Sequence, residues 1–292
     1  LQPVSIFNLS VLKKFLAKRN PNPKGEMSFL DHIEELRWHI VRSIIALILA
    51  AIIVFINIEW VFHEIILGPA RPDFISYVFF CKFGQWFGTD VLCLEKLNLQ
   101  FQNTVLSGQF MMSFSVSFML GFILAFPYIF YEFWKFLKPA LHPSELKYAK
   151  GIIFWSSLLF FLGVAFAYFI LAPFTINFFA NYQLSPSFQN IITIGNYYDT
   201  MSDLILGMGV VFELPVIVFF LSRTGILTPQ FMRDKRKYAI VIIMFISAII
   251  TPPDMFSIFL VAIPLVLLYE ASIFICGRIV KERAKKELMY RK

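Results

Sequence analysis

Residues 204–222 read LILGMGVVFELPVIVFFLS. This run of nineteen residues contains a single charged side chain, Glu213, at its midpoint. About 20 apolar residues are needed to carry a helix across a hydrocarbon core of ~30 Å, so the run reads as a membrane span. Comparable runs lie at 40–58, 110–131, 152–173 and 257–276. A shorter one, 239–251, sits between a basic cluster and a polar turn and is counted as the fifth of six spans. At roughly 1.5 Å per residue it covers only about 20 Å, so it must thin the bilayer locally or sit behind its neighbours. The expected fold is all-α, a bundle of six transmembrane helices.

The whole composition agrees with that reading. Of the 292 residues 58% are hydrophobic and 18% aromatic, including 36 Phe, while only 15% are charged. A soluble domain carries about 25% charged residues, so this surface suits lipid rather than water. The net charge of +7 would raise nucleic acid as a partner for a soluble protein. In a polytopic chain it raises the question of which side holds the positive charge.

Basic residues alternate between the connections. Six Lys and Arg precede residue 40, four lie in 132–150, five in 223–237 and seven in 277–292. The segments 174–203 and 252–256 have none, and 59–109 has three against five acids. By the positive-inside rule both termini and the two short basic loops are cytoplasmic. Arg42, one turn into the first span, is placed to snorkel back to the interface. The organisation expected is a basic segment 1–26, a six-span domain 27–276 and a basic tail 277–292. Within the first, residues 4–19 mix apolar and basic side chains and read either as an interfacial amphipathic helix or as a disordered tail.

The long segment 59–109 is expected to fold into a cap on the outer face. It holds Cys81 and Cys93, which an oxidising compartment would allow to bridge; the alternative is two buried thiols under the cap. Cys276, at the inner end of the last span, reads as inert.

Polar groups in mid-span are functional hypotheses by default, because insertion of an ionisable one costs about 2.5–3.5 kcal/mol. Glu213 stands directly before Leu214-Pro215, and Pro215 frees a carbonyl one turn back, loosening the helix beside the carboxyl. Its role is an interhelical hydrogen bond, a contact for a partner helix, or a proton-carrying site. Glu270 is a second carboxyl in an apolar run, with Arg42 or a neighbouring helix as its partner. Gly207 and Gly209 allow close helix approach, and Pro127, Pro173 and Pro264 are expected to kink or end their helices. Residues 28–37 read as a short amphipathic helix with an S-x-x-D start at Ser28. There Phe29, Ile33, Leu36 and Ile40 form a packing face, and Asp31 and Glu35 lie one turn apart. Glu145 follows Pro139 and Pro143 in a loop of defined shape. Carboxylates set on a basic surface suit guanidinium groups, which they bind through paired hydrogen bonds. No phosphate-binding loop, H-E-x-x-H or C-x-x-C motif is present, and there is no internal repeat. No enzyme, cofactor or metal is therefore expected.

Four segments, in order, resemble the TatC subunit of the twin-arginine protein translocase. Residues 28–37 resemble the family's H-[LI]-x-E-L-R element. The run from Tyr131 to Leu141, with Glu145, resembles its Y-x-[FV]-W-x-F-x-x-P-A-L loop. Phe212-Glu213-Leu214-Pro215 resembles F-E-[LV]-P, and Thr251-Pro252-Pro253-Asp254 the outer T-P-P-D turn. The resemblance implies a multi-pass protein of the bacterial cytoplasmic membrane that recognises twin-arginine signal peptides and exports folded proteins on the proton-motive force. It implies that Glu35 and Glu145 bind the arginine pair and that Arg37 shapes that patch. It implies also that Glu213, with Pro215, contacts TatA- or TatB-type single-span partners, that Pro69 and Asp254 belong to the outer side, and that the subunit self-associates. The competing reading from the residues alone is a proton-coupled solute carrier using Glu213 and Glu270.

Overall fold

The computed structural model describes residues 29–86, 88, 93, 99–137, 149–185, 187, 190–252 and 254–290. The chain divides into two units, 1–38 and 39–292. The described part of the first is the opening ten residues of helix α1. That helix runs from Phe29 to Ile56 without a break, so residues 29–37 belong to a long helix and not to the short separate one expected. Of the four residues read as its apolar face, Ile33 and Ile40 are exposed and Leu36 is partly buried.

The second unit is helical. It contains α2 (Ile75–Trp86), α3 (Gly108–Leu137), α4 (Ala149–Phe166), α5 (Ala172–Asn181), α6 (Ile194–Val211), α7 (Leu214–Thr224), α8 (Pro229–Asp234), α9 (Arg236–Ile250) and α10 (Met255–Tyr290). Five stretches are long and apolar enough to cross a bilayer: 32–56, 108–137, 151–181, 194–224 and 257–282. Each contains or overlaps one of the runs read from sequence. The sixth run falls on α9, whose 15 residues give about 22 Å of rise. The outward faces of these helices are apolar, as on α1 at Ile44, Ile48, Leu49, Ile52 and Ile53, which is the arrangement that hydrocarbon surroundings favour.

The core is centred on α4 and α6, and buried residues of α10 belong to the same cluster. Phe160, Met201, Leu204, Met208, Val261 and Leu265 have no exposed surface there, and the rings of Phe126 and Phe160 stack nearly parallel. Glycine permits that approach. A Cβ on Gly209 would stand 2.8 Å from the Phe160 ring, and one on Gly207 2.7 Å from Ile250 of α9.

Proline has different effects at different sites. Pro127 and Pro264 lie inside continuous helices, so neither ends its helix. Pro173 follows a π-helical turn, Ala167–Leu171, and opens α5. The extra residue in that turn lets the rod continue past the proline to Asn181. Pro215 does interrupt: α6 stops at Val211 and α7 begins at Leu214, with Phe212 and Glu213 in a turn between them. Gly225, at φ 84°, closes α7 in the left-handed conformation that glycine tolerates.

Between α1 and α3 the chain makes short irregular helical turns at Ile58–Trp60, Val61–Ile66 and Gly68–Ala70 before α2. Such turns leave carbonyls without helical partners, and buried carbonyls need donors. Three tyrosine hydroxyls from three helical segments supply them. Tyr168 donates to the Ile65 carbonyl at 2.8 Å, Tyr197 to Ile66 at 2.7 Å and Tyr77 to Pro69 at 2.7 Å. A disulfide joins Cys81 to Cys93. Strand β1 (Phe101–Gln102) pairs in parallel with β2 (Ile192–Thr193), tying this segment to the start of α6.

Candidate functional site

Glu213 lies in the turn between α6 and α7, and only 8% of the residue is exposed. One carboxylate oxygen accepts a hydrogen bond from the Ser156 hydroxyl of α4 at 2.8 Å. The other is buried and has no partner among the described residues. Because Pro215 lacks an N–H and occupies the first turn of α7, the helix restarts here and the carboxyl sits at the break. A buried polar atom without a partner costs about 1–3 kcal/mol, so among the described residues this oxygen is left at a cost.

A second buried carboxyl was missed from the sequence. Glu132 was read as the first residue of a loop, but α3 continues to Leu137 and Glu132 is 1% exposed. Its carboxylate bonds His39 Nδ1 at 2.6 Å and lies 3.4 Å from an Arg42 guanidinium nitrogen and 3.6 Å from Lys135 Nζ. Arg42 is therefore not merely snorkelling. His39 and Arg42, three residues apart, share a face of α1, and that spacing was the available signal. Lys135 follows Glu132 by three residues on α3 and stands over the Tyr131 ring.

Of the two partners expected for Glu270, the structure shows the neighbouring helix and not Arg42. Arg236, the first residue of α9, bonds it at 2.7 and 2.8 Å. The carboxylate thus joins α9 to α10 at the same end of α9 as the basic cluster. Nearby, Arg223 at the end of α7 meets Glu282 of α10 at 3.1 Å, and Cys276 is buried as a free thiol. At the far end of α9, Asp254 is buried and accepts the backbone N–H of Ser257 at 2.6 Å, capping α10. Pro69 is fully buried. Outside the spanning helices, Arg71 and then His63 hydrogen-bond Glu64 and hold its carboxyl below the usual range.

Glu35 is half-buried and Arg37 exposed on the opening turns of α1. They are two positions apart, which is roughly 200° around a helix, so they point to different sides. Glu145 lies outside the described residues, as do residues 1–26 and Pro253.

A bundle of spanning-length helices, apolar outside and holding a few buried carboxyls within it, defines a polytopic membrane protein. A family model described as Sec-independent protein translocase protein (TatC) matches residues 31–264. The chain is 42% identical to the protein of that name from Blattabacterium over 90% of this chain and 99% of the relative. It is 32% identical to TatCy of Bacillus subtilis over 86% and 89%. A solved structure titled twin arginine translocase receptor TatC superposes with a TM-score of 0.67 at 32% identity, covering 85% of this chain and 99% of the other. The chain belongs to the TatC family. It is a membrane component of the Sec-independent, twin-arginine protein translocase, a transport protein and not an enzyme, and it works with other Tat components. Family membership sets aside the solute-carrier reading.

Proposed function

We propose that this chain is the signal-peptide receptor and core subunit of the translocase, exporting folded proteins across the bacterial cytoplasmic membrane on the proton-motive force. The observation that carries the reading is the match over residues 31–264, which includes Glu35, Arg37, Glu145, Glu213 and Asp254 within one family domain. In this reading α9 is the fifth of six spans, and both termini are cytoplasmic. The end of the bundle with Glu132 and Arg223 faces the cytoplasm, and the disulfide-bearing segment caps the outside. Glu35 and Glu145 take the two guanidinium groups of the signal peptide through bidentate hydrogen bonds, with Arg37 shaping the patch. The unsatisfied oxygen of Glu213 receives a polar side chain from a TatA- or TatB-type single-span helix, and the subunit self-associates.

The test uses the full chain in detergent and a fluorescent peptide bearing consecutive arginines. Charged hydrogen bonds are worth about 1.5–3 kcal/mol each, so Glu35→Ala and Glu145→Ala should each weaken binding about tenfold or more. Binding by both single variants and the double variant at wild-type strength would show that the receptor patch lies elsewhere.

A further inference from the structure

Residues 226–238 form a platform at one end of α9. It is held from behind. Met232 of α8 is buried with Val218, Ile273 and Cys276, the Tyr269 hydroxyl donates to the Met232 carbonyl at 2.8 Å, and Arg236 is clamped by Glu270. The free side mixes cations and apolar groups, with one exposed acid, Asp234, between Arg233 and Lys235. Arg233, Lys235 and Lys237 are exposed, and none forms an ion pair among the described residues. Ile226, Phe231 and Tyr238 are exposed among them. The ammonium groups of Lys235 and Lys237 lie 5.4 and 5.2 Å from the centre of the Tyr238 ring, so the ring attracts both charges.

From Tyr238 an exposed apolar stripe continues along α9 through Val241, Ile242, Phe245 and Ile249. The spacing keeps these side chains on one face of the helix. The opposite face, with Ile243, Ser247 and Ile250, is buried. The exposed face of α10, a spanning-length helix, is likewise apolar at Phe259, Ile263 and Leu267, so both helices present lipid-type surface.

We propose that this platform binds one anionic phospholipid. Lys235, Lys237 and Arg233 hold the headgroup phosphate, and an acyl chain lies along Val241, Phe245 and Ile249. The continuity of cations with the stripe selects a lipid. An acidic peptide would match the cations and leave the stripe uncovered, and a free phosphate would leave it bare. The length of α9 works in the same direction. Its rise of about 22 Å falls short of a ~30 Å core, so the bilayer must thin to meet it, and cations at its end draw anionic headgroups inward to that level.

The experiment is native mass spectrometry of the delipidated full chain, titrated with phosphatidylglycerol or with phosphatidylcholine. Wild-type protein should bind phosphatidylglycerol more tightly. Each cation near an anionic headgroup contributes about 1 kcal/mol, so Arg233→Gln/Lys235→Gln/Lys237→Gln should lose roughly tenfold or more for phosphatidylglycerol and clearly less for phosphatidylcholine, whose choline cation already offsets its phosphate. Lys235→Arg/Lys237→Arg, which keeps the charge, should bind as wild type does. Phe245→Ala/Ile249→Ala should weaken both lipids, and millimolar inorganic phosphate should not displace the bound lipid. If the triple variant does not hold its fold, Lys237→Gln alone carries the test, with about a fivefold loss expected. Equal affinity for the two lipids, an unchanged triple variant, or displacement by phosphate would each overturn the proposal.

Discussion

His39 and Glu132, ninety-three positions apart, meet in a 2.6 Å hydrogen bond that joins α1 to α3. The carboxylate is almost fully buried, with 2% of its side chain exposed, whereas its three partners differ: His39 is 15% exposed, Lys135 41% and Arg42 49%. A partner that reaches water contributes little when removed, and one that does not leaves the carboxylate without its main bond.

The three partners should therefore rank. His39→Ala should destabilise the purified protein by about 1–3 kcal/mol, the cost of a buried group left short of a hydrogen bond. Arg42→Ala and Lys135→Ala should cost under about 1 kcal/mol each. A His39→Ala/Glu132→Ala double-mutant cycle should show coupling between the two. Melting temperatures in detergent give the order, and Arg42→Ala proving the most damaging would mean that the histidine is not the main tie.

Glu213 should separate stability from function. Removing a buried carboxyl that has one unsatisfied oxygen relieves a cost, so Glu213→Leu should leave the isolated subunit as stable as wild type or raise its melting temperature. Ser156→Ala should destabilise by about 1 kcal/mol, because the carboxylate then loses its one donor. Glu213→Leu should also lose co-purification with single-span partners. A marked drop in melting temperature for this variant would show that the carboxyl holds the bundle together.

The three tyrosine hydroxyls over residues 65–69 should act locally. Tyr197, at 4% exposure, has least access to replacement water, so Tyr197→Phe should cost most, about 1–2 kcal/mol, with Tyr168→Phe costing less. Hydrogen exchange at residues 65–71 would report the loosening. Uniform exchange increases across α3 and α6 instead would assign these residues a global role.

The Cys81–Cys93 disulfide closes a separation of 12 residues. By the loop-closure model a bridge of that size contributes at most about 3 kcal/mol, and it lies in the segment between α1 and α3. Cys81→Ser/Cys93→Ser should increase protease cutting between residues 81 and 99 while leaving the melting of the spanning helices within a few degrees of wild type. Collapse of the whole bundle on reduction would contradict that local role.

The sequence was most legible where one physical requirement dominated. Hydrocarbon admits only long apolar helices, so the runs at 110–131, 204–222 and 257–276 marked helices that the structure contains, and Pro215 marked a true break. It was less legible where helices outrun the apolar core. α3 continues past 131 to bury Glu132, and α1 begins well before 40, because a helix extends as long as its backbone bonds and packing permit. Pro173 does not end the span, because a π-turn precedes it and the helix resumes at Ala172.

By itself, the sequence determined the membrane class, the positions of the long spans and the family, since these follow from composition, periodicity and motifs along the chain. Only the tertiary structure decided the pairings: His39 with Glu132, Arg236 with Glu270, Ser156 with Glu213, and the tyrosines with residues 65, 66 and 69. Hydropathy reports how much each residue avoids water. It carries no information about which of several scarce polar groups will meet inside a bundle, because that depends on how the helices rotate and cross.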